Sequence, residues 1–143
     1  MASVFRVLVV DDFEPWLRII FWLLKDFPEW EVVGEAVNGV EAIQKAEALQ
    51  PDLILLDIGL PLRNGIEAAK SIRSVSPNSK ILFVSVDLCP DLVQGALSTG
   101  AEGYVVKSDA AFDLLPAMRT VMSGERFLPS RYQGQNGSWN LDR

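Results

Sequence analysis

The sequence predicts an α/β fold, a five-stranded doubly wound parallel sheet with five helices. Three observations predict it. Short apolar runs rich in Val, Ile and Leu recur along the 143-residue chain. Longer amphipathic stretches alternate with those runs. Turn-forming residues stand at the junctions between them. Runs of this kind are too short for membrane spans or long helices and read as strands. Their strict alternation with helical patterns argues for parallel strands covered on both faces.

The elements follow in order. Phe5–Val10 (FRVLVV) reads as the first strand and runs into Asp11 and Asp12. Phe13–Phe27 reads as a helix, with Phe13, Trp16, Leu17, Ile20, Leu23, Leu24 and Phe27 as its core stripe. Ile19 and Trp22 fall off that stripe, with Arg18 and Lys25 nearby. Glu31–Ala36 is the second strand and Gly39–Leu49 the second helix. Pro51-Asp52 precedes the third strand, Leu53–Leu56. Arg63-Asn64-Gly65 forms a turn into the helix Gly65–Val75, and Ser76-Pro77-Asn78 forms the next turn. Lys80–Ser85 is the fourth strand and Asp91–Thr99 a helix, closed by Gly100 as its C′ residue. Gly103–Val106 is the fifth strand. Asp109–Met122 is the last helix, burying Ala111, Leu114, Leu115, Met118 and Met122 and leaving Phe112 outside. The pattern supports one domain over residues 1–129 and a polar, disordered tail over 130–143.

Composition narrows the chemistry. The chain has no histidine, so a histidine base, metal ligand or phosphohistidine on this chain is excluded. Its one cysteine, Cys89, rules out an internal disulfide and suits a reducing compartment. The net charge of −6 lacks the basic footprint of direct nucleic-acid binding. No apolar run approaches the roughly 20 residues needed to cross a bilayer. The opening apolar stretch runs straight into two aspartates and does not read as a signal peptide. The expectation is a soluble cytoplasmic protein with no membrane partner.

In a doubly wound sheet, ligands bind outside the carboxyl ends of the strands. The first strand delivers Asp11 and Asp12 there, the third Asp57, the fourth Ser85 and the fifth Lys107. Three carboxylates in one cleft repel unless a cation joins them, and an all-oxygen set suits Mg²⁺ or Mn²⁺. A carboxylate can also act as nucleophile and become an acyl phosphate. The charge on the equatorial oxygens of the transferred group could then be met by Lys107, Ser85 and the metal. Taken singly, each residue has an ordinary reading. Asp11-Asp12 would cap a helix, Asp57 would start a turn, and Lys107 would be a solvated surface lysine. Their joint placement at strand ends is what carries weight, and it makes Asp57 the candidate phosphorylation site.

With these residues in place, the sequence resembles the receiver domain of bacterial two-component response regulators. The resemblance covers about residues 5–129. Its motifs are VLVVDD at 7–12, LILLDIGLP at 53–61 followed by Asn64-Gly65, ILFVSV at 81–86 and GAEGYVVKSD at 100–109. Ser108-Asp109 after the lysine and GERFLP at 124–129 resemble the NarL/LuxR-type subfamily. The resemblance implies a flavodoxin-like fold with strand order 2-1-3-4-5. It implies phosphorylation of Asp57 by a partner histidine kinase. Asp11, Asp12, Asp57 and the backbone carbonyl of Gly59 would hold Mg²⁺. Lys107 would contact the phosphoryl group and Ser85 would move toward it. Tyr104, a half-buried strand aromatic at rest, would turn inward as Ser85 moves.

The chain departs from the family pattern in places. Leu60 stands where many receivers carry Met, Ser108 replaces a common Pro, and Val86 follows Ser85 where a smaller residue is common. The subfamily usually continues into a helix-turn-helix domain, whereas this sequence stops at Arg143, which fits either a stand-alone receiver or a shortened chain. The listener would be a partner or that missing output domain. Ile19, Trp22 and Phe112 form a candidate partner surface, and with the first and last helices as neighbours they predict a homodimer face. Three other functions fit this residue set less well. An aspartyl-phosphate phosphatase would need an acid at Gly59, and a flavin protein would need a phosphate-cradling loop after the first strand. A phosphorylation-independent interaction module would have no use for the intact Asp11, Asp12, Asp57, Ser85 and Lys107 set.

Overall fold

The computed structural model describes residues 3–86 and 88–129. The tail read at 130–143 lies outside the described residues. The elements run β1 (Phe5–Val10), α1 (Glu14–Leu24), β2 (Trp30–Ala36), α2 (Gly39–Leu49), β3 (Leu53–Leu56), α3 (Gly65–Val75), β4 (Lys80–Ser85), α4 (Pro90–Leu97), β5 (Gly103–Val106) and α5 (Ala110–Met122). A 3₁₀ turn, Lys107–Asp109, links β5 to α5. All strand pairs are parallel, and the order is β2-β1-β3-β4-β5. This is the doubly wound, flavodoxin-like arrangement that the sequence predicts.

The apolar runs are continuous because both sheet faces are buried. Val7, Val9, Leu53, Leu55, Leu82, Val84 and Val105 point into one core, closed by α1 and α5. The alternate residues Leu8, Val10, Ile54, Leu56, Ile81, Phe83, Tyr104 and Val106 point into the other, closed by α2, α3 and α4. Asn38 and Asn64 cap α2 and α3 by accepting the N–H groups of Glu41 and Glu67. Gly100, at φ +89, turns the chain after α4, but it stands two residues beyond the C-cap Ser98 and not at C′ as read, because the helix ends early.

The structure corrects several expectations. Phe13 is 60 % exposed and does not belong to the core stripe. It precedes the helix in extended conformation, with its N–H given to Asp11 Oδ1, so helical spacing does not apply to it. The helix also stops at Leu24, short of the expected Phe27. Ala111 is exposed as well. The 3₁₀ turn delays α5 to Ala110, and the buried stripe becomes Ala110, Asp113, Leu114, Ala117, Met118 and Val121. Leu115 and Met122 lie half-buried on its flank. In α4, Pro90 takes the first helical position, where its missing N–H costs nothing, and the helix ends at Leu97. β2 begins one residue early, at Trp30.

Candidate functional site

Strand pairing sets the site. Val10 pairs with Leu56 in the sheet, so the next residues, Asp11 and Asp57, emerge side by side. The Asp57 N–H donates to the Val10 carbonyl at 3.1 Å and locks this edge. Ser85 ends β4 opposite Val106, which places the following Lys107 beside it. Asp57, Ser85 and Lys107 line a pocket of about 230 Å³ with Ile58, Gly59, Val86 and Leu92.

Behind Asp57 the backbone turns tightly into α3. Gly65 donates its N–H to the Ile58 carbonyl at 2.7 Å. A Cβ on Gly65 would lie 2.0 Å from the Asp57 carbonyl oxygen, so only glycine permits this approach. On the way, Leu62 adopts φ +68, a left-handed conformation costly for a branched apolar residue, with its side chain 78 % exposed. Gly59 faces the opposite condition. A Cβ there would meet nothing within 4 Å, which leaves open space on the pocket side.

The electrostatics centre on Asp57. Burial pushes its carboxyl up from the usual 3.8 to about 6, and the charge of Asp11 adds to the rise. Lys107 and the backbone N–H groups of Ile58 and Gly59 pull it back down. Those two N–H groups belong to the loop that directly follows Asp57. Lys107 is no solvated surface lysine. Its side chain is 13 % exposed, and its Nζ lies 2.5 Å from Asp11 Oδ2 and 4.0 Å from Asp57 Oδ1. The nearer contact is an ion pair by distance only, because Asp11 Oδ2 has no partner in hydrogen-bond geometry.

Asp11, Asp12 and Asp57 each offer one carboxylate oxygen within 4.8 Å of the others. This all-oxygen donor set fits a hard cation. Asp11 brings an oxygen lacking a hydrogen bond, and Asp12 is exposed at the mouth. The reading of Asp11-Asp12 as a mere helix cap fails, since the cap position is Phe13 and no side chain caps it.

Tyr104 is fully buried, which corrects the half-buried expectation. It shares its sheet face with Phe83, ring centroids 6.4 Å apart, in the core under α4. Ile19, Trp22 and Phe112 are exposed by 44 %, 66 % and 84 % and do not line the pocket beside Asp57. Helical spacing places Trp16 in the core and predicts no other role. It is there, at 8 % exposure, but its ring also lies 5.1 Å from Lys107 Nζ. A helical stripe pattern carries no signal for such a contact, because the lysine comes from the far end of the chain.

Among the described residues, no helix is long and apolar enough to cross a membrane. A family model, the response regulator receiver domain, matches residues 7–119. The chain is 35% identical over 130 residues to the transcriptional regulatory protein LnrK of Bacillus subtilis, covering 91% of this chain and 59% of that protein. It is 41% identical over 123 residues to the nitrate/nitrite response regulator protein NarL of Escherichia coli, covering 85% and 56%. The chain therefore spans under two thirds of these relatives. The structure of a LuxR-family two-component response regulator from Aurantimonas superposes with a TM-score of 0.83 at 30% identity, covering 87% of this chain and 89% of that one.

Proposed function

The chain belongs to the response regulator receiver domain family of two-component systems, and from that premise we propose that Asp57 is its phosphoacceptor. The observation that carries this reading is the convergence of Asp57 with Asp11, Asp12, Ser85 and Lys107 at one sheet edge. A sensor histidine kinase is the phosphoryl donor. The domain is a signalling module, and the only chemistry it performs is on its own Asp57. Residues 1–129 are the receiver unit, and they act in the cytoplasm.

Asp11, Asp12, Asp57 and the Gly59 carbonyl would hold Mg²⁺ (or Mn²⁺), which offsets the negative charge of the acyl phosphate. An Asp57 oxygen attacks the donor's phosphorus in line, and the P–N bond to the donor imidazole breaks as the O–P bond forms. Lys107 neutralises one phosphoryl oxygen and Ser85 donates to another. Phosphorylation adds roughly −1.5 to −2 charge, and the β4–α4 and β5–α5 loops shift population toward the arrangement in which both residues reach it. Tyr104 follows Ser85 in that shift.

The readout is a partner or a DNA-binding output domain. The acidic receiver itself does not bind nucleic acid. α1 and α5 close the same core, and a homodimer face over Ile19, Trp22 and Phe112 is the surface offered for self-association.

The test is binding of beryllofluoride, a phosphoryl mimic, with Mg²⁺, followed by calorimetry and by mass in solution. Saturable, Mg²⁺-dependent binding that Asp57→Asn abolishes is the expected result. Equal binding by Asp57→Asn would remove Asp57 from this role.

A further inference from the structure

The Lys107 ammonium has two carboxylates within reach and rests on only one of them. It lies 2.5 Å from Asp11 Oδ2 and 4.0 Å from Asp57 Oδ1. The difference is not set by Asp11 alone. The ring of Trp16 lies 5.1 Å from Nζ, within the range at which an aromatic face attracts a cation. Trp16 is 8 % exposed and packs in the core closed by α1 and α5, so its ring is fixed. The lysine stem is the flexible partner. The ammonium is itself largely desolvated, the condition under which a cation–π contact is strongest.

We propose that Trp16 is a positioning residue for Lys107, its indole face and the Asp11 carboxylate together holding the ammonium away from Asp57. Two consequences follow. Asp11 Oδ2 is occupied by Lys107 at rest, so a cation that takes Asp11 must displace the lysine. The displaced ammonium then has Asp57 as its remaining partner. Trp16 thereby raises the free energy of switching Lys107 across the site and sets how readily the resting domain accepts Mg²⁺. This inference deepens the metal reading above and rests on it for its second consequence only.

Two measurements on the whole chain test it. The first needs no metal. Lys107 ε-methylene protons should be shifted upfield by the indole ring current in the NMR spectrum. Trp16→Leu should abolish that shift, and Trp16→Phe should retain part of it. Lys25, which lies over Trp22, is an internal reference that neither variant should move. The second is a Mg²⁺ titration. Trp16→Leu should tighten Mg²⁺ binding by roughly two- to thirtyfold, the span from an exposed to a desolvated cation–π contact, and Trp16→Phe by less. In a Lys107→Met background, adding Trp16→Leu should change nothing. A merely structural role for Trp16 would alter Mg²⁺ binding equally with and without Lys107, and that result overturns the proposal. An unshifted Lys107 in the wild type also overturns it. Absence of Mg²⁺ binding in the wild type would remove the metal reading, while the Lys107 shift would still decide the seat. If Trp16→Leu fails to fold, Trp16→Phe carries both arms.

Discussion

Gly65 lies so close to Asp57 that a Cβ on it would sit 2.0 Å from the Asp57 carbonyl oxygen. The start of α3 is thereby pressed against the backbone that aims the candidate phosphoacceptor. Gly65→Ala must push α3 and the β3–α3 loop apart, at a cost of about 1–3 kcal/mol for overpacking a closed site. Gly59→Ala, where a Cβ meets nothing within 4 Å, should stay within about 0.5 kcal/mol of the wild type. Chemical denaturation measures both. Equal stability of the two variants would mean that the contact relaxes freely. Gly65→Ala should also weaken beryllofluoride binding, because the clash falls on the Asp57 backbone itself and Gly65 is hydrogen-bonded to Ile58 in the same loop.

Asp57 should make the fold less stable as pH rises. Its carboxyl is held at about 6 in the folded protein, chiefly by burial, against an ordinary value of 3.8. A carboxyl raised in the folded state favours folding while it stays protonated. Its contribution is fully present below pH 3.8 and is lost as pH rises through about 6. Asp57→Asn should therefore exceed the wild type by about 2–3 kcal/mol at pH 7.5, and this gap should shrink as pH falls toward 4. Saturating Mg²⁺ should narrow the gap at pH 7.5, since a cation stabilises the ionised form. Urea unfolding of both proteins at several pH values measures it. A gap that does not depend on pH would show that Asp57 ionisation does not oppose folding.

The sheet and the acidic edge were legible because they rest on local signals. Phe5–Val10, Leu53–Leu56, Lys80–Ser85 and Gly103–Val106 are apolar on both faces, and each strand end carries a polar residue that the topology gathers at one edge. The bounds of α2 and α3 were legible as amphipathic stretches, and the Arg63-Asn64-Gly65 turn marked the start of α3. The helix phases were less so. Phe13 continues the α1 spacing but lies outside the helix, and an unforeseen 3₁₀ turn moved the α5 stripe by one residue. Lys107 was read as a phosphoryl contact, yet its resting partners, Asp11 and Trp16, depend on distances between β1, α1 and β5 that no periodicity encodes.

Trp22 and Phe112 should control self-association. They are 66 % and 84 % exposed on helices that close the same core. Burying one large apolar side chain is worth about 1.5–3 kcal/mol. Trp22→Glu or Phe112→Glu should therefore weaken the dimer formed with Mg²⁺ and beryllofluoride by at least about tenfold, read by sedimentation. Thermal stability should change little, because neither side chain belongs to the core. An unchanged dimer affinity in both variants would place the interface elsewhere.

Val86 should prolong the life of the acyl phosphate. It follows Ser85, lines the pocket beside Asp57 and is itself 78 % exposed, so it stands at the mouth. Leu92 lines the same pocket, so the two side chains would present an apolar wall to an incoming water. Val86→Ala removes two methyl groups from that wall without opening the core. The rate of phosphate loss should rise roughly threefold, a barrier change of about 0.6 kcal/mol. Val86→Ile should leave the rate at or below the wild type. The decay of radiolabelled phosphoprotein in excess Mg²⁺ measures all three. Beryllofluoride affinity separates the cause. If Val86→Ala also binds the mimic more weakly, the site itself has moved. If binding holds and only decay quickens, the side chain acts by restricting water. A phosphate lifetime in Val86→Ala equal to that of the wild type would remove the residue from this role.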